Sequence, residues 1–261
     1  MSYLQAIEYW RNKEITNAAE LEAALNGQII NFAYHSGKIE NSNITYDDTR
    51  EIFETDTVSS YTGDLRTLFE IRNSKDAIYK ILDAFDKKMS ITEDFIKEVQ
   101  YELTKNTYDA RRWSIGERPG TYKLHDYIVG MNEVGASAED TPKEMMELLS
   151  DITNTTITDK NILNAAAYFH CKMENIHPFS DGNGRTGRLL VNYFLVQHNH
   201  PPMIIFNEDK KTYSEALREW DIKQSISAMV DFMKFEISKT WEKQLEKFFE
   251  YNNSIESDTC R

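Results

Sequence analysis

Apolar positions recur at three- and four-residue steps over most of this chain. Within residues 64–86, Leu65, Leu68, Phe69, Ile71, Ile78, Ile81, Leu82 and Phe85 follow that spacing, which predicts an amphipathic helix. Ser90 and Glu93 have capping-box spacing ahead of a helix over about 93–105. Thr141, Pro142 and Glu144 open another, with proline at its first position. Thr158 or Asp159 caps a helix that runs to about Ile176. The next begins near Gly184 and stops before His200-Pro201-Pro202. A last long pattern over about 222–250 carries Ile222, Ile226, Met229, Val230, Met233, Ile237, Trp241, Leu245 and Phe248. One stretch departs from the helical period. In 116–135, glycines at 116, 120, 130 and 135 bracket the strand-like run Thr121–Val129, which predicts a short hairpin. The expected fold class is therefore all-α, a helical bundle with one short β-hairpin. The tail from Asn252 is polar and is expected to fray.

Composition narrows the function classes. The 261 residues are 40% hydrophobic and 28% charged, an ordinary globular balance. The net charge of −13 gives no general attraction for nucleic acid, so no nucleic-acid partner is expected. Cys171 and Cys260 make no disulfide framework and suit a reducing cytosol. The N-terminus lacks a basic cluster followed by an apolar run. No apolar run approaches the ~20 residues that span a bilayer. These features together predict a cytoplasmic protein with no membrane partner.

The chemistry is concentrated between Asn175 and Arg188. Gly182, Asn183 and Gly184 allow a tight turn whose backbone N–H groups converge. A helix starts there, so its free N–H groups and positive dipole end reach the same spot. Arg185 and Arg188 lie three apart on one helical face. Two guanidiniums above such a nest make a polyphosphate site. Asp181 precedes the nest and can hold Mg²⁺, which commonly takes one or two carboxylates plus phosphate oxygens. His177 lies at the mouth, and an imidazole suits a general base acting on a hydroxyl near neutral pH. The competing Walker A pattern, GxxxxGK[ST], is absent.

The run His177-Pro178-Phe179-Ser180-Asp181-Gly182-Asn183-Gly184-Arg185-Thr186-Gly187-Arg188 resembles the Fic motif, HxFx[D/E]GNGRxxR, at every defining position. The resemblance covers about residues 20–240. It implies an all-helical Fic fold and a protein adenylyltransferase, which moves AMP from ATP to a protein hydroxyl. On the family pattern His177 deprotonates the target hydroxyl and Phe179 packs beneath the loop. Asp181 holds magnesium, or manganese in its place. Gly182, Asn183 and Gly184 cradle the phosphates, with the Asn183 side chain as an added contact. Arg185 then takes the β-phosphate and Arg188 the γ-phosphate. A kinase-like branch carries Lys where this chain has Gly184, so Gly184 favours AMP transfer. The hairpin at 121–129 falls where the family has a target-docking flap, and Tyr213 where it often places an aromatic near the nucleotide. Homo-oligomers occur in the family, and the apolar terminal helices allow one without requiring it.

Upstream, Ser36-Gly-Lys-Ile-Glu40-Asn41 resembles the family's inhibitory motif, [S/T]xxxE[G/N]. Ser36 and Glu40 are four apart and share a helix face. A Glu40 carboxylate paired with Arg188 would take the γ-phosphate's cation and oppose the phosphate with like charge. One such contact near 4 Å at an effective dielectric of 20 is worth about 4 kcal/mol. The implied layout is a set of N-terminal helices over 1–60 that includes the inhibitory segment, a Fic core over 61–251 and a polar tail over 252–261. Two other readings of the same site stand beside AMP transfer: a hydrolase that removes AMP with Glu40 as helper, and an ATP-binding regulatory module. The target protein is unassigned, and the chain itself is one candidate.

Overall fold

The computed structural model describes residues 2–59, 61–129 and 132–259. Its helices are α1 (Tyr3–Arg11), α2 (Ala18–Ala24), α3 (Gln28–Glu40), α4 (Tyr46–Thr55), α5 (Leu65–Asp86), α6 (Glu93–Thr104) and α7 (Ala110–Ser114). Strands β1 (Tyr127–Val129) and β2 (Asn132–Val134) follow. The second half holds α8 (Thr141–Asn154), α9 (Ile162–Ile176), α10 (Asn183–Gln197), α11 (Lys210–Lys223) and α12 (Ser227–Thr259). No described helix is long and apolar enough to cross a membrane.

Polar caps set many of the helix starts. Asp64 accepts from the Thr67 N–H and opens α5. At α6 the cap is Thr92, whose side chain accepts from Phe95 N–H, rather than Ser90. A threonine next to the first helical residue is better placed than a serine two residues further out. The helix ending at Ile176 also starts later than Thr158. The Asn161 side chain accepts from Thr158 N–H and holds 158–161 in a turn, and α9 begins at Ile162. The pattern over 222–250 is not one helix. Gln224 takes a left-handed conformation (φ 52°), ends α11 and lets the chain restart at Ser227. Ile222 thus belongs to α11 and is exposed. Helix α12 continues to Thr259, through the segment expected as a polar tail.

The expected strand Thr121–Val129 is mostly irregular. Only Tyr127–Val129 pairs, antiparallel, with Asn132–Val134. Gly135 (φ 81°) follows, and a Cβ there would strike the Ile176 carbonyl and reach 2.5 Å from His177 Cβ. Glycine therefore lets the end of the hairpin approach the C-terminus of α9. Ala136 N–H then donates to that same carbonyl at 3.0 Å.

Helices α9 and α10 form the central hairpin. Nearly every side chain of α10 from Arg185 to Val196 is buried, as are Ala166, Phe169, Cys171, Met173 and Ile176 of α9. A helix apolar nearly all round needs neighbours on every side. Here α6, α5 and α3 cover α10, and α8, α11 and α12 cover α9. The terminal helices close the far end, where Trp10 and Trp241 meet at 5.3 Å between ring centroids. Trp241 Nε1–H donates to the Pro202 carbonyl at 2.8 Å, so this buried indole satisfies its one donor.

One buried group works against stability. Glu236 of α12 is fully buried, and neither carboxyl oxygen meets a donor at good geometry. Burial first, then the Asp209 charge, pushes its pKa up to about 8. A raised carboxyl favours the protonated folded state. Its contribution is intact below the unfolded value of 4.5 and is lost as pH rises through about 8. Glu236→Gln should therefore melt higher than the parent at pH 8, with the gain shrinking toward pH 5. Thermal unfolding at the two pH values measures this.

Candidate active site

Residues 177–182 connect the two central helices. His177 ends α9 in a left-handed conformation (φ 51°), and its N–H donates to the Met173 carbonyl. Gly182 (φ 82°) is the N-cap of α10. A Cβ on Gly182 would reach 2.5 Å from Thr104 Cγ2, so the close approach of α6 also calls for glycine. Between the two turns Phe179 is fully buried and packs against Tyr122 at 5.6 Å.

Asn183 locks this loop. Its Oδ1 accepts from Phe179 N–H at 2.8 Å and its Nδ2 donates to the Phe179 carbonyl at 2.7 Å. The side chain expected as an added phosphate contact is therefore spent on the backbone. Its own N–H, at the first turn of α10, is what it can offer an anion. The Gly182 N–H likewise donates to its neighbour, Asp181 Oδ1, at 2.7 Å.

Asp181 sits among cations. Arg66 Nη2 of α5 is 2.8 Å from Oδ2, Arg185 Nη2 is 3.3 Å from Oδ1, and Arg112 Nη2 is 3.9 Å from Oδ2. The buried Gln100 amide donates to the Asp181 carbonyl at 2.9 Å and fixes the backbone beneath it. Among the described residues no three His, Cys, Asp or Glu side chains gather into a metal cage. A single carboxylate at a helix N-terminus fits Mg²⁺, which takes the rest of its shell from phosphate and water, and would not fit a structural zinc.

Arg185 is 4% exposed, and its Nε and Nη1 have no hydrogen-bond partner. A buried guanidinium with donors to spare calls for an anion. Arg188 is 2% exposed and engages α3 through Nε and Nη2. Its Nε donates to Ser36 Oγ at 3.0 Å, and its Nη2 donates to the Ser36 carbonyl at 2.9 Å and to Glu40 Oε1 at 2.8 Å. The four-residue spacing in α3 thus brings Ser36 and Glu40 to one guanidinium. Burial works against both charges, yet Arg188 holds the Glu40 carboxyl below its usual value and Glu40 raises that of Arg188. Gly184 makes the pair fit, because a Cβ there would strike Glu40 Oε1 and lie 2.7 Å from Arg188 Nη1.

His177 is pushed down to about 4, by burial first and then by the Lys123 charge. It is a neutral imidazole at physiological pH, able to accept a proton. Lys123 is buried, and its backbone N–H donates to the Pro178 carbonyl at 2.9 Å. Tyr213 is buried on α11, where its hydroxyl meets His170 Nε2 at 2.8 Å and its side chain also interacts with Arg188. Glu174, partly buried in the same cluster, is pushed up to about 7 by desolvation.

Sequence reasoning missed Arg66, Glu70, Gln100, Arg112 and Lys123. Arg66 and Glu70 have ion-pair spacing on α5, but nothing local says that this face meets the loop.

The family model described as Fic/DOC family matches residues 90–195. The chain carries a Fic domain. Protein adenylyltransferase Fic of Nematostella vectensis is 30% identical over 187 residues, 71% of this chain and 42% of that protein. Its counterpart in Drosophila persimilis is 29% identical over 202 residues, 76% of this chain and 38% of that one. The chain thus matches about two-fifths of the length of these curated relatives. A Fic domain containing signaling protein from Bacteroides thetaiotaomicron superposes with a TM-score of 0.75 at 23% identity, covering 94% of this chain and 95% of that one. That likeness gives the Fic fold, helical as the sequence pattern predicts.

The loop of this Fic domain depends on Asn183. Asn183→Ala removes two buried hydrogen bonds and leaves the Phe179 backbone groups unsatisfied, at about 1–3 kcal/mol for each such group. A loss of about 2–4 kcal/mol is expected in denaturant unfolding, with weaker nucleotide binding by calorimetry.

Proposed function

We propose that this chain is a protein adenylyltransferase that moves AMP from ATP to a hydroxyl side chain of a protein and is restrained by Glu40. The observation that carries the reading is the convergence of His177, Asp181, Arg185 and Arg188 on the N-terminus of α10, with Arg185 keeping buried, unpartnered N–H groups. Arg185 takes the β-phosphate, beside the free N–H groups of the first helical turn. Asp181 would hold Mg²⁺, which when bound offsets phosphate charge. His177, neutral and beside the loop, removes the proton from the target hydroxyl. That oxygen bonds to the α-phosphorus, the bond to the bridging oxygen breaks, and pyrophosphate leaves. The hairpin β1–β2, tied to the loop through Ala136 and Gly135, is the surface on which a target segment would align.

Glu40 supplies the restraint. It occupies Arg188, so the γ-phosphate meets a carboxylate instead of a free guanidinium. Glu40→Gly should raise AMP transfer at least tenfold, and adding His177→Ala should abolish it. Intact-protein mass spectrometry after incubation with ATP and Mg²⁺ reads self-modification as a gain of one AMP. A lysate with α-labelled ATP reads transfer to other targets. Equal rates in the parent and Glu40→Gly would overturn the restraint, and label from the γ-phosphate would indicate a kinase.

The pH profile carries a second signature. Because burial depresses His177 to about 4, its basic form is present above that value and is lost as pH falls through it. Transfer by Glu40→Gly should show no histidine limb near 6.5, the value of an exposed imidazole. Its acid limb should lie well below pH 6.

A second reading rests on Glu40 itself. It bonds Arg188 through Oε1 and is 44% exposed, so its outer side faces solvent and can orient a water. AMP removal from a premodified protein would follow, and Glu40→Gly should then stop loss of label.

A further inference from the structure

The segment that carries Glu40 touches the site twice. Beside the contact with Arg188 there is a second connection, through the next residue. Asn41 caps the C-terminal end of α3, and its Nδ2 donates to Glu70 Oε2 at 2.7 Å and to Thr67 Oγ1 at 2.9 Å. Glu70 is nearly fully buried on α5. Its other oxygen, Oε1, accepts from Arg66 Nε at 3.1 Å and lies 3.8 Å from Arg185 Nη1. Arg66 then reaches Asp181 with Nη2 at 2.8 Å. An unbroken polar path therefore runs from Asn41 through Glu70 and Arg66 to Asp181.

We propose that Asn41, Glu70 and Arg66 form a second hold of the α3 segment on the site, one that keeps Asp181 bound to a guanidinium and so opposes cation entry. The inference rests on the reading of Asp181 as the metal carboxylate. Its logic is competition for one anion. A divalent cation at Asp181 repels Arg66 and takes its partner. Arg66 stays on Asp181 because Glu70 fixes its Nε, and Glu70 presents Oε1 because Asn41 occupies Oε2. Arg66 acts on Asp181 directly, and Asn41 is a positioning residue that acts through Glu70. Linkage then requires the reverse effect: a cation on Asp181 loosens Asn41, and with it its neighbour Glu40.

The test is the gain in ADP affinity that Mn²⁺ confers, taken by calorimetry on the full chain as the ratio of Kd in EDTA to Kd in Mn²⁺. The EDTA arm reports the phosphate site alone, so lost phosphate contacts cancel in the ratio. Arg66→Ala should enlarge the gain about two- to fivefold, the scale of one partly exposed ion pair. Asn41→Ala should enlarge it about two- to fivefold. The double variant should match Arg66→Ala, because both changes release the same hold. Asp181→Ala should show no gain. A gain in Asn41→Ala equal to that of the parent, or effects that multiply in the double variant, would overturn the second hold while leaving Asp181 as the metal ligand. A parent-like gain in Asp181→Ala would overturn the metal reading itself, and the hold with it.

Discussion

A guanidinium buried to 2% exposure organises this site. Arg188 sits one turn inside the central helix, and a charge so placed requires partners. Ser36 and Glu40 meet that need, and in doing so they dock α3 against α10. The N-terminal helices are therefore tied to the start of α10 through this one guanidinium. Apolar packing places α3 near the loop, and the ion pair sets which side of it faces inward.

The same economy governs the loop. Six residues reverse the chain between two buried helices, and their backbone is held at several points. Asn183 pairs with the Phe179 backbone, Gln100 with the Asp181 carbonyl, and Lys123 N–H with the Pro178 carbonyl. Arg185 Nε and Nη1, in the first turn of α10, are left without a hydrogen bond, as is Ser180 Oγ in the loop itself.

Much of this was legible in the sequence, for reasons that differ by element. The long helices show themselves because each buries one face, and a 3.6-residue period records that directly. Boundaries were harder. Ser90 and Thr92 are both competent caps, and only the packing of α6 selects Thr92. The break at Gln224 escaped notice because no glycine or proline marks it. At the site, the residues from His177 to Arg188 could be read because one loop and one helical turn hold them together. Ser36 and Glu40 could be read because the run resembles a family motif, and their spacing puts both on one helix face. Arg66, Glu70 and Lys123 could not. They reach the loop from elements distant in the chain, and pairing at that range leaves no local period. Asn183 shows the opposite limit, where the residue was found but its side chain serves the loop and not the ligand.

Gly184 carries a consequence for how such a chain can change. Its missing side chain is the space that the Glu40 carboxylate fills. The two positions lie 144 residues apart in sequence, yet they are not free to drift independently. Any larger residue at 184 must displace Glu40 or be excluded by it. A lysine there would bring its own cation to the carboxylate and compete with Arg188 for it. Changes at 184 and at 40 thus meet in one shared volume, and the order in which the two substitutions arise decides whether the intermediate is open or crowded.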